Sequence, residues 1–451
     1  MTFLAGLFAA RSHLAILLGL GAAVGVVRLT SRLSEPPPRA ASLAAFAPLA
    51  SAWPVRPSSR LSTRERALAH AAWSYFEHNT DERTGLAASV QGYPSTTMWD
   101  VGSQLMAILA AEDLGVVSRA EASRRLERAL ASLAAMPLCE RRLPNKAYDT
   151  RALHMVDYGN HRQPAGVGWS ALDIGRLFVP LAVILRRAPE LTPSVDRVVS
   201  RFDLDALTDG AALLGATRRA DGALDVYQEG RLGYEQYAAR ALLPWGVPAP
   251  AAIDYQAHAE LVEVGGRPVP RDDRHPRQHG GAHAAVLSEP WVLSGVELGF
   301  DAVGAAMARA VLAAQQARYA DTGKLTAVSE EALDRAPRFA YSAVLNGDDA
   351  WTAFLPDGSP APGELTFSAK AAAGWGALFA GPYADRLWDE VARLVAPSGG
   401  IYAGRYDATG EVNRVLSLNT NAVVLEALAY RVHGPFLRAK RVPDAAEVRR
   451  W

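Results

Sequence analysis

Residues 94–115, PSTTMWDVGSQLMAILAAEDLG, pass from a proline and small hydroxyl residues into a block that is apolar on nearly every side, through Leu105, Met106, Ile108 and Leu109. A hydroxyl residue ahead of an apolar run marks a helix N-terminus, and a helix with no polar face must be covered all round. The segment after Ser118 is striped instead, with Leu126, Leu130 and Leu133 along one line between arginines and glutamates. One helix reads as buried, the next as its wall. The alternation recurs in DIGRLFVPLAVIL (173–185) against TPSVDRVVSRF (192–202), and in TFSAKAAAGWGALF (366–379) against YADRLWDEVARLV (383–395).

A loose internal repeat points the same way. Residues 84–115, 221–243 and 398–431 each run from a glycine turn through a short tyrosine-bearing segment into a helix. Stacked helical hairpins of this kind form solenoids or close into toroids. Because buried helices need neighbours on all sides, the expected class is all-α, an (α/α) barrel with an inner ring of helices inside an outer ring. Two stretches, AELVEVGGRPVP (259–270) and FAYSAVLNGDDAWTAFLPDG (339–358), read as small β-hairpins on one rim.

The first residues have a different character. Before Arg28 the only charged or titratable side chains are Arg11 and His13, and an apolar block runs from Leu14 to Val27. Residues 1–32 are therefore expected to be an anchor or signal segment, read as an uncleaved single-pass helix in the bacterial inner membrane with the body in the periplasm. The lipid bilayer is one expected partner. Gly21 and Gly25 have a spacing that can pair two membrane helices, the basis for a homodimer expectation. Residues 33–60, rich in Pro and Ala, read as a linker, 61–436 as the barrel, and 437–451 as a basic tail.

The charge balance, 47 basic against 47 acidic residues, lacks the basic excess that nucleic-acid binding needs. The single cysteine, Cys139, excludes an internal disulfide and a multi-cysteine zinc site. His275, His279 and His283 fall four apart in RDDRHPRQHGGAH, but Pro276, Gly280 and Gly281 break any helix that would turn them into a metal ladder. No metal or cofactor is expected.

The succession AAWSYFEHNT, TTMWDVGSQLMAILAAEDLGVVS, NKAYDT, YQEGRLGYEQYAAR and SEPWVLSGVELGFD resembles the bacterial domain-of-unknown-function family 3131, over about residues 63 to 436. That family is similar to glucoamylase-like (α/α)6 domains, including those of cyclic β-1,2-glucan synthases, in which a related pattern around YDT lines a glycan cleft. The resemblance implies the six-fold form of the barrel, (α/α)6, and a carbohydrate cleft where the inner helices begin.

Asp100, Asp173 and Glu235 stand at such helix starts. Thr97 to Asp100 and Ser170 to Asp173 also satisfy a helix-capping pattern, whereas Glu235 has no hydroxyl residue three positions earlier. Glu235 is thus the expected general acid and Asp100 its partner, with Asp149, Asp173 and Glu289 in reserve. Trp99, Tyr148, Trp169, Tyr227, Tyr234 and Tyr237 offer flat faces for sugar rings, and Arg231 lies close by in sequence. The expected function is a glycoside hydrolase or transglycosylase acting on an envelope glycan. The alternative is a catalytically silent glycan-binding or scaffold subunit of a polysaccharide assembly system.

Overall fold

A computed structural model describes residues 56, 59–274, 276 and 283–437. Among the described residues twelve α-helices alternate between two layers. The inner ones are α2 (Met98–Asp113), α4 (Ala171–Arg187), α6 (Tyr234–Leu242), α8 (Glu289–Leu293), α10 (Ala369–Leu378) and α12 (Leu418–His433). The outer ones are α1 (Thr63–Asn79), α3 (Arg119–Ala135), α5 (Thr192–Val199), α7 (Pro250–Ile253), α9 (Ala302–Thr322) and α11 (Pro382–Val391). Each inner helix packs against the next, and α12 returns to α2, so the ring is closed.

Local chemistry sets the helix starts. Ser62 and Glu65 form a capping box on α1, and Thr97 and Asp100 form one on α2. Ser118, Ser170, Ser368 and Ser417 each accept a backbone N–H of the helix they precede, satisfying donors that have no partner inside the helix. The ring is tight because glycines face neighbouring helices: a Cβ on Gly175 would come within 2.7 Å of the Ala238 methyl, and one on Gly374 within 2.0 Å of Val292 Cγ1. Large side chains such as Trp169, Trp291, Trp375, Phe178 and Phe379 fill the space between the layers.

Among the described residues fifteen strands in six small antiparallel sheets accompany the helices, so the expected all-α class is corrected to a mixed α/β fold. The sheets are β1 (Ser95–Thr97) with β4 (Ala147–Asp149) and β5 (Met155–Val156); β2 (Leu138–Cys139) with β3 (Leu143–Pro144); β6 (Leu214–Arg218) with β7 (Leu224–Gln228); β8 (Ala259–Val264) with β9 (Arg267–Asp272); β10 (Glu330–Ala332) with β11 (Phe339–Asn346) and β12 (Asp349–Phe354); and β13 (Thr366–Ser368) with β14 (Tyr402–Tyr406) and β15 (Val412–Leu416). Two- and three-residue strands such as β1, β2 and β13 are too short to show an alternating pattern. Strands β1 and β13 form because distant partners supply the hydrogen bonds, as when Thr96 pairs with Tyr148 and Phe367 with Arg405. Strands β1 and β13 run directly into α2 and α10, which fixes where those inner helices begin.

The membrane expectation is also corrected. Among the described residues no helix is long and apolar enough to cross a membrane, and this removes the support for a bilayer partner and for single-pass placement in the inner membrane. Residues 1–32, on which that expectation rested, lie outside the described residues, as do most of the linker at 33–60, the tail beyond residue 437, and His275 and His279.

Candidate functional site

A polar column runs up the axis of the ring. Arg176 of α4 is fully buried and pairs with Glu297 and, at 3.0 Å, with Glu426 of α12. Its guanidinium also donates to Tyr237 Oη of α6 at 3.0 Å and to Ser103 Oγ of α2 at 3.3 and 3.2 Å. Glu297 reaches the axis because the chain after α8 widens into a π-turn, Ser294–Leu298; such turns often occur at functional sites. Above Arg176, at 5.5 Å from its guanidinium, lies the ring of Trp99.

Trp99 begins the mouth. Its indole N–H donates to Glu289 Oε1 at 3.1 Å, and the Asn419 amide donates to the same oxygen at 2.7 Å. Lys370 of α10 forms an ion pair with Glu289. Glu330 of β10 lies in hydrogen-bond contact with Glu289 and accepts from the hydroxyls of Tyr234 and, at 3.0 Å, Ser329. Two buried carboxyls this close cannot both ionise freely. Burial alone would raise Glu289, but Lys370 and Asn419 hold it below the usual carboxylate range, while burial and then the Glu289 charge push Glu330 up. The neighbouring Glu331, which accepts from Ser368, is pushed by burial to about 8.

A second acid group stands at the start of α4. Glu229 follows β7, and its carboxylate fits over Gly215, where a Cβ would come within 2.6 Å of Oε2. Glu229 Oε2 accepts the Ala171 N–H at 2.5 Å, and the Ser170 hydroxyl lies in hydrogen-bond contact with both Glu229 and Asp173. Asp173 does not complete a capping box, so its half-buried carboxyl remains available in the mouth. Burial, then the charges of Glu229 and Asp100, carry it to about 7. Burial raises Glu229 as well, with Lys146 opposing. Lys146 is held beside them by Thr217 at 2.7 Å and Tyr227 Oη at 3.2 Å. Asp100 keeps one oxygen tied, its Oδ2 accepting from Ser89 at 2.5 Å and Thr97 Oγ1 at 2.9 Å; burial raises it above the ordinary aspartate value.

Aromatic rings line the space. Trp99 meets Tyr234 edge-on at 5.5 Å, and Tyr341 of the rim hairpin stacks on Phe354 at 5.0 Å. Both Glu330 and Asp173 lie within electrostatic reach of Tyr341, so the two acid groups stand on the same side of the ring. A separate cavity of about 430 Å³ on the outer wall between α1 and α3, lined in part by Trp73, Glu77, Arg124 and Arg128, contains none of these acids.

Of the residues singled out in the sequence, Trp99, Asp100, Asp173, Tyr227, Tyr234 and Glu289 come together at the mouth. Others do not. Glu235, expected as the acid, is 1% exposed with both oxygens engaged: Oε1 takes the Gln228 amide at 2.8 Å and Oε2 the Arg274 guanidinium at 2.5 Å. It offers no carboxyl to a ligand. Arg231 is buried beside it and donates to Gln228 Oε1 at 2.9 Å. Asp149 shapes a turn, its Oδ1 accepting the N–H groups of Arg151 and Ala152 at 2.9 and 2.7 Å. Tyr148 and Trp169 are core side chains whose polar tips donate to the carbonyls of Pro137 and Leu214, and Tyr237 belongs to the axial column.

The sequence reading passed over Glu229, Glu330, Tyr341 and Lys370. Glu229 sits in the motif YQEGRLGYEQYAAR, six residues before Glu235, and was the signal to weigh. Nothing local marks Glu330, which reaches the mouth only through the pairing of β10 with β11.

The family pattern described as "Protein of unknown function (DUF3131)" matches residues 67–434. No curated protein matches the chain. Several solved structures share its fold. One, from Bacteroides caccae, provisionally named a glucoamylase, is 14% identical with a TM-score of 0.60, covering 82% of this chain and 93% of its own. An endo-β-1,2-glucanase from Chitinophaga pinensis, in complex with sophorotriose and glucose, is 11% identical with a TM-score of 0.59, covering 83% and 94%. An endo-β-1,2-glucanase from Talaromyces funiculosus, in complex with sophorose, is 11% identical with a TM-score of 0.54, covering 83% and 84%. The fold is therefore that of glucoamylase- and glucanase-like carbohydrate-active proteins.

Proposed function

Because this chain belongs to the DUF3131 family of proteins of unknown function and gathers its acids and aromatic rings at the mouth of a closed helical ring, we propose that it binds a glycan there and cleaves it. The reaction is that of a glycoside hydrolase or transglycosylase. One arrangement carries the reading: the half-buried Asp173 carboxyl shares the Ser170 hydroxyl with Glu229 and is pushed up to about 7 by burial and then the Glu229 charge, on the same side of the ring as Trp99, Tyr234 and Tyr341.

Glycoside cleavage needs a carboxyl that still holds its proton near neutral pH and a second, ionised carboxylate. Asp173 and Glu229 meet at Ser170, and burial with the Glu229 charge holds the proton on Asp173. Asp173 donates it to the departing glycosidic oxygen as the bond from that oxygen to the anomeric carbon breaks. Asp100, with its second oxygen free, takes the proton from the water or sugar hydroxyl that adds to the anomeric carbon. Lys370 and Asn419 hold Glu289 in place, which orients Trp99 beneath the sugar. The carbohydrate-bound structures of the two glucanases support a glycan ligand for this fold and make linear β-1,2-glucan the first substrate to try.

The test is to incubate the full chain with linear β-1,2-, β-1,3- and β-1,4-glucans and read the products by mass. New, shorter chains support hydrolysis, and chains longer than the starting material support transfer. No product and no binding with any glycan would overturn the proposal.

A further inference from the structure

Tyr158 is 66% exposed, the most open of the large apolar side chains among the described residues. An exposed tyrosine at a loop tip is ordinarily unremarkable. This one differs in where it stands and in how its backbone is held. Asp173, Glu229, Tyr227 and Tyr341 all interact electrostatically with it. The ring is open to solvent and within electrostatic reach of the acids and tyrosines of the mouth.

The loop beneath it is braced. Asp157 Oδ1 accepts the N–H groups of Gly159 and His161, each at 2.9 Å, and its Oδ2 accepts the Gln163 amide at 3.0 Å. Tyr93 donates its hydroxyl to the Tyr158 carbonyl at 2.7 Å. The Asn160 amide reaches Asp149 at 3.4 Å, which ties the loop to β4. None of these bonds uses the Tyr158 ring. The local hydrogen bonds hold the backbone and leave the ring largely open to solvent, the arrangement expected where a rigid aromatic face awaits a ligand.

We propose that Tyr158 is a sugar-stacking platform, forming with Tyr227 and Tyr341 a subsite beside the Asp173 and Glu229 pair. This rests on the glycan reading above and deepens it. A ring held outside the acid pair engages a sugar other than the one whose bond is attacked. The ligand class is thus a chain of uncharged sugars, an oligo- or polysaccharide threading the mouth, with the flat apolar face of one pyranose against Tyr158. Glucans fit this description, whereas a glycan of uronic acids would bring its carboxylates against Asp173 and Glu229.

The experiment is affinity electrophoresis of the full chain, with Tyr158→Ala and Tyr158→Phe, in native gels containing linear β-1,2-, β-1,3- or β-1,4-glucan. The glucan that retards the unaltered protein most is then used to measure Kd. Tyr158→Ala should weaken binding by about tenfold, the scale of one lost aromatic stacking contact. Tyr158→Phe keeps the face and should bind as the unaltered protein does. Unchanged binding in Tyr158→Ala, or equal losses in both variants, would overturn the platform and leave the glycan reading intact. Failure of the unaltered protein to bind any of the glucans would instead sink the glycan reading together with the subsite.

Discussion

Replacing Arg176 with methionine removes the hub of the axial column while keeping a long side chain in the space. The guanidinium joins α4 to Ser103 of α2, Tyr237 of α6, Glu297 of the π-turn and Glu426 of α12, so four members of the ring lose a common partner. Burial already pushes Glu426 upward, with Arg176 opposing, so without the arginine Glu426 takes a proton and ceases to be a buried charge. Glu297 is then left without a cation, holding only the Tyr237 hydroxyl. Removing a single partner of a buried ion pair costs about 3 to 5 kcal/mol. The expected loss lies in that range, a large fraction of an ordinary domain's stability. The assay is urea unfolding, read as a fall in midpoint at constant slope. Adding Glu297→Gln to Arg176→Met eliminates the orphaned charge and should recover roughly 1 to 3 kcal/mol. A single variant within about 1 kcal/mol of the unaltered protein, or a double variant no better than the single one, would refute the reasoning.

Three further outcomes follow from the geometry. Glu331 is raised to about 8 by burial, so between its unfolded and folded values the native state binds the extra proton, and stability falls as pH rises through that window. Glu331→Gln should therefore show a smaller drop in melting temperature between about pH 6 and pH 8 than the unaltered protein, and an identical drop would contradict the assignment. Glu235→Gln weakens a buried pair with Arg274 and should cost about 1 to 3 kcal/mol in urea while turnover per folded molecule persists; full stability with abolished turnover would return Glu235 to the chemistry. Deleting residues 396–436 removes α12, which closes the ring against α2 and α10, and should abolish cooperative unfolding; sharp melting with helicity kept would argue against closure.

The helix starts were legible because their chemistry is local. Ser62 with Glu65 and Thr97 with Asp100 form the capping boxes their spacing dictates, and the hairpins at 259–270 and 339–354 turn where Gly265, Gly266, Asn346 and Gly347 stand. The class was misread for a complementary reason: strands of two or three residues, such as β1 and β13, owe their existence to partners tens of residues away. Site residues divide along the same line. Asp173 and Trp99 could be placed from sequence because they stand in the first turns of inner helices whose caps are local. Glu235 looked free only because Arg274, its partner 39 residues on, cannot be seen from its own segment. Arg176 and Glu297, single charges inside apolar helices, were the clearest unread signals, since a buried charge must have a partner.

Turnover of Asp173→Asn and Glu229→Gln, each as the full chain on the glucan that the unaltered protein cleaves, tests the central claim most directly. If the pair supplies the proton, each change should lower turnover by at least about a hundredfold while the melting temperature and Kd for the glucan stay near those of the unaltered protein. Normal turnover in both variants would contradict the account and move the search to Glu330 and Glu289 on the other side of the mouth.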